Sequence, residues 1–258
     1  MSERTKTLVK QQFGVSSRAY ATSDVHARGE SLEILLAEIR PHSDWVALDV
    51  ATGAGHTALA VAPHVKRVVA YDLTEQMLET AADLAARRGL ANFETRLGDA
   101  EALPFPDGSF DLVTCRLAFH HFPDSARAFA EMARVLRPGG TLGFTDNYVV
   151  DDPEAAAFYN EYERLRDPSH VRVLALGELE ALFRRSGLTI TALHRLEKEM
   201  EFQDWADRQH VSAADKERLL EMARHAPAAL VPLLAPRWAD GTMYFTLWEA
   251  AIVAIKGA

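Results

Sequence analysis

The stretch "LDVATGAGHTA", Leu48–Ala58, ends an apolar run at a carboxylate, turns through two glycines and resumes in small residues. An apolar run, a glycine turn and a helix start in that order mark a strand-to-helix turn where main chain meets a ligand. Gly53 and Gly55 permit positive φ and close approach, and the helix that follows offers free N–H groups. "GAGHTA" matches the G-x-G-x-x-G/A spacing of dinucleotide sites, and Asp72 follows at about the twenty-residue distance of a ribose-binding acid. A tight turn with no ligand at all also uses glycine.

Asp49 separates the nucleotide classes. A carboxylate at the strand end repels a pyrophosphate in a partly desolvated cleft and attracts an ammonium or sulfonium. The expected guest is therefore cationic and adenosine-bearing, as S-adenosylmethionine is. Asp72 offers two acceptor oxygens for a ribose diol, or a favourable charge at the start of the next helix. Asp99, in "GDAEALPF", reads as an acceptor for an adenine amino group with the Ala100 N–H beside it, or as a solvated loop acid.

Outward from this turn, apolar runs alternate with helical patterns. WVALDVA (45–51), RVVAYDL (67–73), FDLVTCRLA (110–118), TLGFTDN (141–147), LTITALHRL (188–196) and TMYFTLWEAAIVAI (242–255) read as strands, and NFETRLGD (92–99) as a weaker one. Continuous apolarity indicates strands buried on both faces, as in a parallel sheet covered by helices. Met77, Leu78, Ala81, Ala82, Leu84 and Ala85 recur at helical spacing after a Thr74 cap, and Phe129, Met132, Ala133 and Leu136 after Asp124, where "LRPGG" closes the helix. The pattern predicts an α/β fold with a doubly wound sheet and ligands beyond the carboxyl ends of its strands, where Asp49, Asp72, Asp99 and Arg116 point.

One domain is expected, with residues 1–40 as an N-terminal lid, 41–150 as the cofactor-binding core, 151–176 as a substrate-cap insertion and 177–258 as the rest of the sheet and cap. The 258 residues are 48% hydrophobic, enough for one large core. The 37 acidic and 28 basic residues give a net charge of -9, which disfavours nucleic acid. A lone Cys115 inside an apolar run suits a reducing compartment. No apolar run reaches the roughly eighteen residues of a bilayer span, and the start, MSERTKTLVKQQ, lacks the apolar segment of a signal peptide. A cytoplasmic protein without membrane insertion, monomeric or homodimeric, is the expectation.

Together "DVATGAGHTA", "YDLTEQML", "GDAEALPFPDGSFDLVTCRLAFHHFPD" and "RVLRPGGTLGFTDN" resemble the class I S-adenosylmethionine-dependent methyltransferases, in the branch of the ubiquinone/menaquinone biosynthesis enzymes. The resemblance covers about residues 40–147 well and 178–196 loosely. It implies a seven-stranded, mostly parallel Rossmann-like sheet with its last strand antiparallel, helical lid segments, and methyl transfer by direct displacement. It also implies that Asp49, Ala51, Gly53 and Gly55 line the methionine tail, Asp72 and Leu73 the ribose, Asp99 and Ala100 the adenine, and that Arg116 follows the strand whose backbone reaches the methionyl amine. Ala51 stands where the family has glycine, and strand geometry would tolerate its methyl.

Methyl transfer asks mainly for positioning, with a base where the nucleophile carries a proton. His120 and His121 follow the fourth strand and offer an imidazole to a hydroxyl, phenol or activated carbon, or simply shape the loop. Asp146, Asn147 and Tyr148 leave the fifth strand toward the same cleft as substrate contacts or caps. Tyr20, in "FGVSSRAYATSDVH", is the expected lid contact in view of the resemblance. Arg166, His170 and Arg172 in "RDPSHVR" suit an anionic group or solvent. Phe119, Phe158, Tyr159, Trp205 and Trp238 would give an aromatic wall or ordinary core. No metal is expected, because adjacent histidines point apart and no further ligand sits at metal spacing. The expected activity is methylation of a small molecule at carbon or oxygen. Three alternatives stay open: an NAD-dependent oxidoreductase, a protein that uses the same cofactor for cyclisation or decarboxylation, and a cofactor-binding regulator without turnover.

Overall fold

The computed structural model describes residues 2–21, 29–239 and 241–257, with the side chains of residues 3–14 in the first stretch. The apolar runs become β1 (Val46–Val50), β2 (Arg67–Asp72), β3 (Phe93–Leu97), β4 (Phe110–Arg116) and β5 (Leu136–Asn147). Leu48 of β1 sits opposite Val69 of β2 and Val113 of β4, in parallel register. Alternate side chains leave opposite faces, so Leu48 and Val50 join one core with Val113 and Phe144, while Ala47 joins another with Val68, Ala70 and Leu112. Burial on both faces is what makes the run continuously apolar.

With β6 (Leu188–Glu201) and β8 (Thr242–Lys256), the order is β3-β2-β1-β4-β5-β8-β6, and β8 runs antiparallel to β5 and β6. This is the expected mostly parallel sheet with its last strand reversed. A short β7 (Arg237–Ala239) pairs with β8 through a hairpin in which Gly241 takes φ 80, a strand too brief to read from sequence. The chain turns from β1 toward β2 on one side and returns to β4 on the other, opening a crevice at the carboxyl ends between them.

One face is covered by α2 (Glu30–Ile39) and α3 (His56–Val61), which bury Leu35, Ile39, Ala58 and Val61. The next helix, α4 (Glu75–Arg87), follows β2, and α1 (Ser2–Ala21) lies along it. The other face is covered by α5 (Ser125–Val135) and α7 (Leu176–Arg185), where the Phe129 ring meets Phe144 and Phe183. Asp124 caps α5 by accepting from the Arg127 N–H at 3.0 Å. Thr74 occupies the corresponding position before α4, but its hydroxyl makes no cap bond. Asp72 accepts the Thr74 N–H instead, at 2.8 Å.

Two strands run further than their apolar patterns suggested. β5 begins at Leu136, directly after α5, because an irregularity in its pairing with β4 sets Leu136 against Phe110 and Thr141 against Leu112. β6 continues past Leu196, with Glu197 through Glu201 paired to Trp248 through Tyr244. Its charged residues read as loop because only one face of this extension is covered. That face packs on α6 (Pro153–Arg166), α8 (Phe202–Asp207), α9 (Ala213–Arg224) and α10 (Val231–Leu234), which share a separate core around Tyr162, Trp205, Leu219 and Phe245. Tyr162 stacks on Trp205 with centroids 5.3 Å apart. No helix of the described residues is long and apolar enough to cross a membrane.

Candidate active site

A cavity of about 500 Å³ opens at the crevice beside β1 and β4, within the size range of small-molecule sites. Its first wall is the glycine turn. Ala51, Gly53 and Gly55 take φ of 53, 55 and 84, a left-handed sequence that folds the chain back under the strand end. Ala51 therefore lies beyond the strand, in a region that disfavours a side chain by roughly 1–2 kcal/mol, so strand geometry does not explain its tolerance. Gly53 faces the cavity, with no atom within 4 Å of where a Cβ would stand. Gly55 does not line it: a Cβ there would lie 2.8 Å from Cβ of Ala81 on α4, so this glycine serves helix packing.

Asp49 borders the cavity but is not a free strand-tip charge. Thr52 Oγ1 donates to its Oδ2 at 2.5 Å, Thr114 Oγ1 to its Oδ1 at 2.7 Å, and the Ala58 N–H to Oδ2 at 3.2 Å. Burial lifts its pKa to about 6 against the pull of these donors and of Arg116. The carboxylate braces the turn, and the neighbouring guanidinium offsets the attraction for a cation that the sequence suggested. Arg116 itself lines the cavity and donates from Nε to Thr57 Oγ1 at 3.1 Å.

Asp72 is held by main-chain N–H groups. Its Oδ2 accepts the Gly53 N–H and its Oδ1 the Thr74 N–H, both at 2.8 Å, which fixes the plane of the carboxylate and leaves acceptor capacity on each oxygen for a vicinal diol. Burial raises its pKa while the two amides oppose the rise. Leu73 lies beside it on the cavity wall, and Asp99 and Ala100 complete that end. Lys6 of α1 reaches across, its Nζ donating at 2.6 Å to Asp99 Oδ2 and at 2.6 Å to Glu101 Oε2. Val9 and Phe13 of α1 also line the cavity, and Phe13 meets the His121 ring edge-on at 5.0 Å. The side chain of Tyr20 lies outside the described residues; of the same segment Phe13 reaches the wall, while Lys6 and Val9 carried no signal in the sequence.

At the end of β4 the two histidine rings do not point apart as expected but lie together, centroids 4.2 Å apart, in different surroundings. His120 Nδ1 lies 2.6 Å from Asp146 Oδ1, and the His120 N–H donates to Asp146 Oδ2 at 2.9 Å. Burial disfavours the imidazolium, but the Asp146 charge and hydrogen bond outweigh it and raise the His120 pKa. With Nδ1–H held by the carboxylate, Nε2 is the basic nitrogen. His121 is buried, its Nδ1 3.2 Å from both Oγ and the carbonyl oxygen of Ser169, and desolvation together with the neighbouring His120 charge depresses it to about 4. It lines the cavity as a neutral ring. Asp146 is 2% exposed and absent from the wall; it positions His120 rather than contacting substrate.

The remaining expectations divide. Asn147 lines the cavity, whereas Tyr148 is buried against Trp248. Arg166 lines it, its guanidinium 4.6 Å from the Trp205 ring centre. His170 is buried, with Nε2 2.8 Å from Asn160 Oδ1, and Arg172 pairs outside with Glu178. Of the aromatic candidates Trp205 reaches the wall, Phe119 packs among Phe122, Phe129 and Phe144, and Trp238 is 45% exposed. Sequence reasoning missed Lys198, Met200, Arg208 and Glu249, which line the far end. The alternation of Lys198 with Met200 is their one signal, and it becomes legible only once the strand extension is known. Among the described residues no group of three metal-ligating side chains is assembled.

A glycine turn and a buried aspartate on one wall face a histidine-carboxylate pair on the other, and known proteins give the class of the chain. A methyltransferase-domain family model matches residues 48–144. The uncharacterized methyltransferase YcgJ of Bacillus subtilis is 36% identical over 214 residues, 83% of this chain and 85% of that protein. Its crystal structure superposes with a TM-score of 0.84 at 34% identity, over 88% of this chain and 98% of the other. The demethylmenaquinone methyltransferase of Deinococcus radiodurans is 46% identical over 110 residues, 41% of this chain and 44% of that enzyme. The chain belongs to the class I S-adenosylmethionine-dependent methyltransferase family. Membership decides between the methyltransferase and dehydrogenase readings that the glycine spacing left open.

Proposed function

We propose that the cavity binds S-adenosylmethionine along the ends of β1, β2 and β3 and that the chain methylates a small molecule at carbon or oxygen, with His120 as the base. The observation that carries this reading is the His120–Asp146 pair opening onto the same cavity as Gly53 and Asp72. The donor supplies an already activated methyl on a sulfonium. Asp72 would accept the ribose hydroxyls, Gly53 would give the tail room to approach, and Asp99 would accept from the adenine amino group beside the Ala100 N–H. His120 Nε2 would take the acceptor's proton, Asp146 holding the ring in that tautomer and stabilising the imidazolium that forms. Phe13 and α1 would exclude water from above.

The acceptor is not carried over from the menaquinone enzyme, since that likeness spans less than half of either chain. The test is calorimetry with S-adenosylhomocysteine, followed by a metabolite panel read out as S-adenosylhomocysteine release. Asp72→Ala is expected to weaken S-adenosylhomocysteine by about 1–3 kcal/mol through lost charged hydrogen bonds. Equal affinity in parent and variant would remove Asp72 from the ribose, and no binding to the parent would end the reading.

A further inference from the structure

We infer that the methyl acceptor is an anion, its carboxylate or phosphate seated among Lys198, Arg208 and Arg166 at the β6/β8 end of the cavity while its reacting atom faces His120. The inference rests on the methyl-transfer reading for its use of His120, but the cation cluster stands on its own geometry. The paired extension of β6 and β8 turns one face inward, placing Lys198 and Met200 beside Leu247 and Glu249 on the cavity wall. In the sheet order this end lies on the side opposite β3, away from Asp99 and Lys6.

The cations at this end are loosely partnered. Glu249 is the sole carboxylate in salt-bridge range of Lys198 among the described residues, and at 3.5 Å it also serves Arg116 electrostatically. Arg208 lines the same hollow, and among the described residues no acid lies within ion-pair distance of it. Its neighbour Asp207 is turned to Lys216 at 2.5 Å. Asp167, which lines this wall with Asp207 and Glu249, accepts from the Ser169 N–H and Oγ at 2.8 and 2.6 Å and also feels the Arg166 charge. Arg166 is held over Trp205 with its carboxylate partner, Glu163, at 3.7 Å. Burial and the nearby Arg208 and Arg116 charges press the Lys198 pKa down, with Glu249 opposing.

Arg208 is exposed and Lys198 half-buried, so both remain open to a ligand, and guanidinium and ammonium groups together suit carboxylate or phosphate oxygens. Arg116, near enough to act on Lys198 and Glu249, donates from Nε to Thr57 at the glycine turn and is left out of the cluster.

The test is titration of matched pairs, benzoate against benzamide, hexanoate against hexanamide and phenyl phosphate against phenol, followed by tryptophan fluorescence with and without saturating S-adenosylhomocysteine. At least one anion is expected to bind about tenfold tighter than its neutral partner, and Lys198→Met/Arg208→Met is expected to abolish that preference while S-adenosylhomocysteine affinity stays within about twofold. The benzoate and phosphate arms separate a carboxylate from a phosphate site. If no anion outbinds its neutral partner, or if the double variant keeps the preference, the inference is overturned, whatever the cofactor titration gives. Anion preference without S-adenosylhomocysteine binding would keep the cation site and sink the methyl-transfer reading instead.

Discussion

The glycine-turn end and the β6/β8 end of the cavity are built from different materials. At the first, main chain does the positioning: the Gly53 and Thr74 amides orient Asp72, and the Ala58 amide helps lock Asp49. The residues involved lie within short stretches after β1, β2 and β3. At the second, long side chains from α6, β6, α8 and β8 converge, and residues far apart in sequence, such as Arg166, Lys198 and Glu249, become neighbours. A wall made of backbone tolerates few substitutions and leaves a motif. A wall made of side chain tips is free to change with the acceptor, and leaves none.

The largest way to break this division is at the histidines between the two ends. His120→Ala is expected to lower kcat by about 10²–10⁴-fold while S-adenosylhomocysteine binding changes little. In the parent, activity should rise with pH through an inflection above the ordinary histidine value, and Asp146→Asn should move that inflection to lower pH, because the carboxylate that stabilises the imidazolium is gone. A flat pH profile in both proteins would remove the base from the mechanism.

The two glycines of the turn sharpen the contrast next. Gly55→Ala should cost about 2–3 kcal/mol of stability, since its methyl meets Ala81 and the backbone is left-handed, and thermal melting will read it. Gly53→Ala should cost only about 1 kcal/mol in stability but weaken S-adenosylhomocysteine, since open cavity lies where its methyl would go. Similar losses from both would place the two glycines in one role.

His121 gives a smaller effect with a definite sign. Its folded pKa, near 4, is below the unfolded value, so protons bind the unfolded chain first and its contribution to stability falls as pH drops from about 6.5 toward 4. His121→Phe should therefore narrow the difference in melting temperature between pH 7 and pH 5 relative to the parent, against a background in which Asp49, with its raised pKa, acts in the opposite direction. An unchanged difference would mean the ring is not held neutral. The smallest effect is expected at Ala51: Ala51→Gly relieves a left-handed residue but frees the unfolded chain, so stability should shift by less than about 1 kcal/mol, with S-adenosylhomocysteine bound at least as well. A marked loss of stability would show that the methyl itself packs.

Gly53, Asp72 and His120 were legible in sequence as residues of the cavity because each sits at or shortly after the end of a strand with an apolar run, whereas Asp99 follows the exposed β3 and was placed by its neighbours. Asp49 was located correctly and misjudged in chemistry, since nothing in "LDVAT" says that Thr114, from a strand far along the chain, will bond to it. Gly55 and Asp146 were likewise near the site but turned to other work, packing against Ala81 and holding His120. Tyr148 and His170 went to the interior.

By itself the sequence determined the order of strands and helices, the crevice at the end of β1 and the family, because burial on both faces and a turn that requires glycine restrict residue choice locally. Tertiary structure alone decided which polar side chains are satisfied by one another and which are left facing the cavity. That balance depends on contacts between distant strands, where Lys198, Glu249 and Arg208 meet, and a charge has no sign of its partner until the chain has folded.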